Sequence, residues 1–167
     1  MKKLALFNHG KDSEPWGRKT LVLAEVAKKH GYHVESIDYR HTVNPTQRVE
    51  ILLATDLSEY DEVVLIGSSM GGYVATVAAE FMQPKGLFLM APAFYLPDYP
   101  QTEFKPVPHT FVVQGWQDRV VAPENAWRFS QQYQCRLKML DADHNLLSVL
   151  DEVCDDFAWF LQHLNSV

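Results

Sequence analysis

The stretch that decides the fold runs from Asp61 to Phe81, DEVVLIGSSMGGYVATVAAEF. Its opening, Val63-Val64-Leu65-Ile66, is the short unbroken apolar run expected of a strand buried on both faces. After Gly67-Ser68-Ser69-Met70-Gly71-Gly72, apolar residues recur at Val74, Val77, Ala78 and Phe81, the i, i+3, i+4, i+7 spacing of a helix. Strand, sharp turn and helix form the setting in which Gly-x-Ser-x-Gly marks a nucleophile elbow, here with Ser69 at its centre and Ser68 off it. A serine at such a turn is held in a strained backbone conformation, with its hydroxyl pushed out at the end of the sheet. Side chains two positions to either side would collide there, so glycine is required at 67 and 71. The start of the new helix also turns free N–H groups, and the positive end of its dipole, toward the spot where an oxyanion would form.

Outward from this centre the chain alternates strands with helices. Lys3 to Asn8 reads as a buried strand ending at His9-Gly10, and Pro15 to His30 has helical periodicity with Leu21, Val22, Val26 and Ala27 apolar and Gly31 as a stop. His33 to Tyr39 is a second strand, and Asn44-Pro45 supplies a helix cap followed by proline in the first helical position. Val49, Leu52, Leu53 and Leu57 form the inner face of that helix. Gly86 to Ala91 is strand four, and residues 92–108 are a proline-broken loop. His109 to Gln114 is strand five, Pro123 to Gln132 a helix, and Cys135 to Leu140 strand six. A last helix is lined by Leu147, Leu150, Cys154, Phe157 and Leu161.

Such alternation predicts an α/β fold, a three-layer sandwich around a mostly parallel six-stranded sheet. Strands one, three, four and five are nearly continuous apolar runs, whereas strands two and six carry Glu35, Asp38, Arg136 and Lys138, which suits sheet edges. The order 2-1-3-4-5-6 satisfies both conditions and brings the carboxyl ends of strands one and three together at a switch point. With no repeat or linker, residues 1–167 are expected to form a single domain.

Composition narrows the function. Of 167 residues, 47% are hydrophobic and 22% charged, with a net charge of −6, so an ordinary globular protein is expected and a nucleic-acid partner is not. The apolar stretch after Met1-Lys2-Lys3 ends within four residues, short of the roughly 7–15 of a signal core, and no window reaches the ~20 apolar residues of a membrane span. A cytoplasmic location follows as the expectation. Cys135 and Cys154 are expected as free thiols; no ligand cluster predicts a metal, and no cofactor is expected.

A nucleophilic serine needs a base and an orienting acid from other strand ends. Gly115-Trp116-Gln117-Asp118 leaves strand five, and Asp141-Ala142-Asp143-His144 leaves strand six. Asp118 is favoured over Asp141 and Asp143 because immediate neighbours on a loop rarely face the imidazole they adjoin. The resulting order, Ser69, Asp118, His144, is one of three known for this chemistry, and the chymotrypsin and subtilisin orders differ from it. Through His9-Gly10, the elbow at 67–71, Gly-x-x-Asp-x-Val at 115–120 and His144, the chain resembles a small serine hydrolase of the α/β-hydrolase superfamily over nearly its whole length. The resemblance implies a Ser69–His144–Asp118 triad and an oxyanion hole formed by the backbone N–H groups of Met70 and Lys11. His9, Trp116, Phe94 and Tyr95 are candidates for the substrate pocket.

Where many members of that superfamily insert a helical cap, this chain has only the 92–108 segment, too short and too proline-rich for one. The expected activity is therefore that of a cap-less carboxylesterase or thioesterase acting on small or exposed acyl groups of a small-molecule ester or thioester. A second reading is a protein-interaction module using the aromatic 94–104 loop, with little or no catalysis. A third, a flavodoxin-like nucleotide binder, lacks any glycine-rich phosphate motif and leaves Asp118 and His144 without a role.

Overall fold

The computed structural model describes residues 1–164. Six strands, β1 (Lys3–Asn8), β2 (His33–Ile37), β3 (Glu62–Ser68), β4 (Gly86–Met90), β5 (Thr110–Gly115) and β6 (Arg136–Leu140), form one sheet in the order β2-β1-β3-β4-β5-β6. All five pairings are parallel, so the sheet is wholly rather than mostly parallel. Among the described residues, five helices flank it: α1 (Arg18–Lys29), α2 (Pro45–Leu53), α3 (Met70–Met82), α4 (Pro123–Tyr133) and α5 (Leu150–Gln162).

Alternation along each central strand distributes its side chains between two cores. Leu4, Leu6, Leu65, Leu87, Leu89 and Val112 face α2, α3 and α4, packing with Val49, Leu52, Val74 and Phe129. Ala5, Phe7, Val64, Ile66, Phe88 and Val113 face α1 and α5, packing with Leu23, Ala27, Val153 and Phe157. Strands buried on both faces cannot afford a polar residue on either, which is why these read as continuous apolar runs. At the edges, β2 and β6 are partly exposed along their length.

The helix ends follow local chemistry. Asn44 caps α2 by accepting from the Gln47 N–H at 3.0 Å, with Pro45 in the first helical position. Several apolar positions fall elsewhere than periodicity suggests. Helix α1 starts at Arg18 rather than Pro15 and buries Leu23, Ala24 and Ala27, leaving Leu21 and Val22 on the outer side. Phe81 is exposed on the last turn of α3, and Leu57 lies beyond the end of α2. Leu147 belongs to a short 3-10 turn ahead of α5. Periodicity detects a helix but sets its rotation poorly when both sides carry apolar residues. Between Met90 and Thr110 the chain has neither helix nor strand, and no helix among the described residues is long and apolar enough to cross a membrane.

Candidate active site

The turn between β3 and α3 is as tight as its glycines imply. Ser69 has φ 53° and ψ −115°, a positive-φ conformation that a side-chain-bearing residue adopts at a cost of about 1–3 kcal/mol. It is pinned to the end of β4: its N–H donates to the Met90 carbonyl at 2.9 Å and its own carbonyl accepts from Ala93 N–H at 3.0 Å. A Cβ on Gly67 would lie 2.3 Å from the Gly71 carbonyl oxygen, and one on Gly71 would lie 1.9 Å from that of Asn8. Those are backbone atoms, so neither collision can be relieved by a rotamer change. Met70 is the first residue of α3, and its N–H has no carbonyl within the helix to bond.

Asp118 and His144 reach the same rim from the ends of β5 and β6. The His144 ring lies between the other two groups, with Nδ1 2.7 Å from Asp118 Oδ2 and Nε2 3.0 Å from Ser69 Oγ. A carboxylate only accepts, so Nδ1 carries the proton and Nε2 is left to accept from the serine hydroxyl. Asp118 is buried, and its Oδ1 accepts from the N–H groups of Val120 and Val121, each at 2.8 Å. Gln114 Nε2 donates to Oδ2 at 2.9 Å. Burial pushes the Asp118 pKa up, but the hydrogen bonds from His144, Val121 and Val120 and the charge of His144 outweigh it, leaving the group below its ordinary value.

A cavity of about 430 Å³ opens beside Ser69, between the β1–α1 loop and the His144 loop. His9, Gly10 and Lys11 form part of its wall, as do Lys19, Leu96 and Tyr99. Gly10 brings the loop against the elbow, since a Cβ there would sit 3.7 Å from Ser69 Cβ. Lys19, half-buried in that wall, donates to the Asn145 carbonyl at 3.1 Å, and burial lowers its pKa to about 8 against the opposing pull of Asp143.

The pocket candidates divide. His9 lines the cavity, but both ring nitrogens are engaged with backbone. Nε2 accepts from Tyr39 N–H at 2.9 Å, so Nδ1 donates to the Gly10 carbonyl at 2.8 Å. Burial depresses its pKa, which fits a neutral imidazole used to shape the turn. Phe94 is not part of the wall. It is fully buried and stacked on Phe129 with ring centroids 4.2 Å apart, because a loop without secondary structure needs aromatic anchors to hold it to the core. Tyr95 is also absent from the wall; the Arg128 guanidinium lies 3.8 Å over its ring. Trp116 stands exposed outside the cavity.

Two contributors carry no motif. Gln114 holds the acid from within β5, where it reads as one polar letter in an apolar strand. Arg48 is fully buried and donates to the β1–α1 loop. Its one sequence signal is a charge at the i−4 position from Leu52, on a face that is otherwise apolar.

Among solved structures, a protein of the alpha/beta hydrolase superfamily from Xanthomonas campestris pv. campestris is similar along 97% of this chain and 99% of its own, with 27% identity and a TM-score of 0.87. A serine hydrolase without lid from Xanthomonas campestris shares 21% identity over 97% of this chain and 80% of its own, with a TM-score of 0.68. An esterase from Pyrococcus furiosus shares 20% identity over 97% of this chain and 83% of its own, with a TM-score of 0.77. No curated protein matches the sequence. The chain thus has the α/β-hydrolase fold, and by the family model that matches residues 4–156 it belongs to the Uncharacterised protein family (UPF0227).

Proposed function

We propose that this protein is a cytoplasmic serine hydrolase that cleaves small or exposed carboxylic esters or thioesters through an acyl-enzyme on Ser69. The observation that carries the reading is the hydrogen-bonded series Asp118–His144–Ser69, at 2.7 and 3.0 Å, opening onto a cavity. Ser69 Oγ attacks the carbonyl carbon while His144 Nε2 takes its proton, and Asp118 stabilises the imidazolium that results. The carbonyl oxygen, now negative, is held by the N–H groups of Met70 and Lys11. On collapse, the carbon–oxygen or carbon–sulfur bond breaks and His144 returns the proton to the departing alcohol or thiol. Water, deprotonated by His144, then releases the acid and restores Ser69.

The alternative of an interaction module draws little support from the 94–104 loop. Phe94 and Phe104 are buried in the core, and Tyr73 and Tyr133 bond to its backbone. The test is covalent labelling by a fluorophosphonate probe. The wild type is expected to label at one site and Ser69→Ala not at all, with kcat on a p-nitrophenyl ester falling by around 10⁶. Folded wild type that neither labels nor turns over such esters would leave the fold without this activity.

A further inference from the structure

Arg48 is the largest side chain in the protein that solvent does not reach, and no carboxylate lies within ion-pairing distance of it among the described residues. A buried guanidinium without a counter-ion is costly unless its donors are matched. Each of its three nitrogens finds a carbonyl, and four of the five N–H groups are matched. Nε donates to Thr42 at 2.8 Å; Nη1 is shared between His9 at 3.2 Å and Gly10 at 3.0 Å; Nη2 donates to Lys11 at 3.1 Å. The Tyr39 ring lies 5.3 Å from the guanidinium carbon. Three successive carbonyls of the β1–α1 loop therefore converge on one cation projecting from α2.

The middle one has a particular consequence. The Gly10 carbonyl and the Lys11 N–H are the two ends of the same peptide group. That carbonyl accepts from His9 Nδ1 at 2.8 Å as well as from Arg48. Two donors on one oxygen fix the plane of the peptide, and one of them being charged draws electron density toward the oxygen. The N–H at the opposite end becomes a stronger donor.

We propose that Arg48 is a positioning residue for the oxyanion hole: its buried guanidinium orients and polarises the Gly10–Lys11 peptide so that the Lys11 N–H stabilises the negative oxygen of the transition state. This rests on the serine hydrolase reading and deepens it. A loop needing only to be tied down would be served by neutral donors without the desolvation of a full charge. A cation helps most when the opposite end of the peptide meets negative charge, which the substrate carbonyl acquires only on the way to the tetrahedral intermediate. The benefit therefore falls on kcat rather than on substrate binding.

The experiment compares wild type with Arg48→Met and Arg48→Ala, using p-nitrophenyl butyrate and the transition-state mimic butylboronic acid. Arg48→Met is expected to lose about 10- to 100-fold in kcat with KM within about threefold, and to lose boronate affinity in parallel. Guanidinium ion at a low, non-denaturing concentration is expected to restore part of the kcat of Arg48→Ala, whereas urea, of similar shape but neutral, is not. Independently of turnover, the Lys11 amide proton resonance should move upfield in the variants as its bonding weakens. If Arg48→Met does not fold, Arg48→Lys carries the test: an ammonium reaching fewer of these carbonyls should lose kcat in the same sense. Unchanged kcat in a folded variant, or equal rescue by urea, overturns the inference. Failure of the enzyme reading looks different, as wild type that does not label or turn over at all.

Discussion

Asp118 is a carboxylate whose pKa burial alone would raise. Against that burial, the hydrogen bond from His144, those from the Val121 and Val120 N–H groups and the charge of His144 hold it below its ordinary value of 3.8. A folded-state pKa below the unfolded one contributes stability that is fully present above the unfolded value and is lost as pH falls through the lower, folded one. Asp118→Asn tests both consequences together. Its kcat should fall by around 10⁴, because an amide at this position can present an N–H to the imidazole and select the wrong tautomer. Its melting temperature should lie a few degrees below wild type at neutral pH, and the gap should close as the pH drops below about 3.8, where the wild-type carboxylate also takes up a proton. Thermal melts of both proteins across that range check the second part. A gap that persists unchanged into acid would mean that the charge of Asp118 contributes nothing to the fold.

At the scale of elements, the elbow illustrates what a sequence can disclose. The glycines at 67 and 71, the apolar run before them and the helical spacing after them are consequences of one local geometry, so they are written in consecutive letters. The sheet order was legible for a similar reason: charges on β2 and β6 and unbroken apolar runs elsewhere are what edge and central strands each demand. The rotation of α1 was not, because Leu21 and Val22 read like core until α5 and the sheet fix which side is inward. Nor were the supports of the site. Arg48 matters through residues distant in the chain and Gln114 through Asp118, just past the end of its own strand, and neither pairing is marked by a motif. The two kinds of glycine in the site make the contrast testable. Gly71→Ala would drive a Cβ to 1.9 Å from the Asn8 carbonyl oxygen, whereas at Gly10 the nearest atom is 3.6 Å away and φ lies outside the left-handed range. Gly71→Ala should therefore destabilise by about 3 kcal/mol or more, and Gly10→Ala should fold within about 1 kcal/mol of wild type, as denaturant melts would show.

For the molecule as a whole, the consequential feature is what lies over the sheet's carboxyl end. Between Met90 and Thr110 the chain crosses without a helix, and its aromatic residues Phe94 and Phe104 are drawn down into the core instead of roofing the cavity. An acyl chain gains about 0.8 kcal/mol for each methylene removed from water, and nothing for those left in it. A lidded enzyme goes on collecting that gain along a tunnel. Here Leu96, Tyr99, Val120 and Leu147 supply the apolar wall of a cavity of about 430 Å³, bounded elsewhere by the Gly10–Ser13 loop and the start of α1, so the apolar surface available to a chain ends with the cavity. Added methylenes should help only while they remain inside, and beyond that they lie over polar walls or in solvent. Across p-nitrophenyl acetate, butyrate, octanoate and palmitate, kcat/KM is expected to peak at acetate or butyrate and to fall for the longer chains, measured below the concentrations at which those esters form micelles. Faster turnover of octanoate or palmitate would require apolar surface beyond that of the cavity, and an open site without a helical cover would then be the wrong description of the working protein.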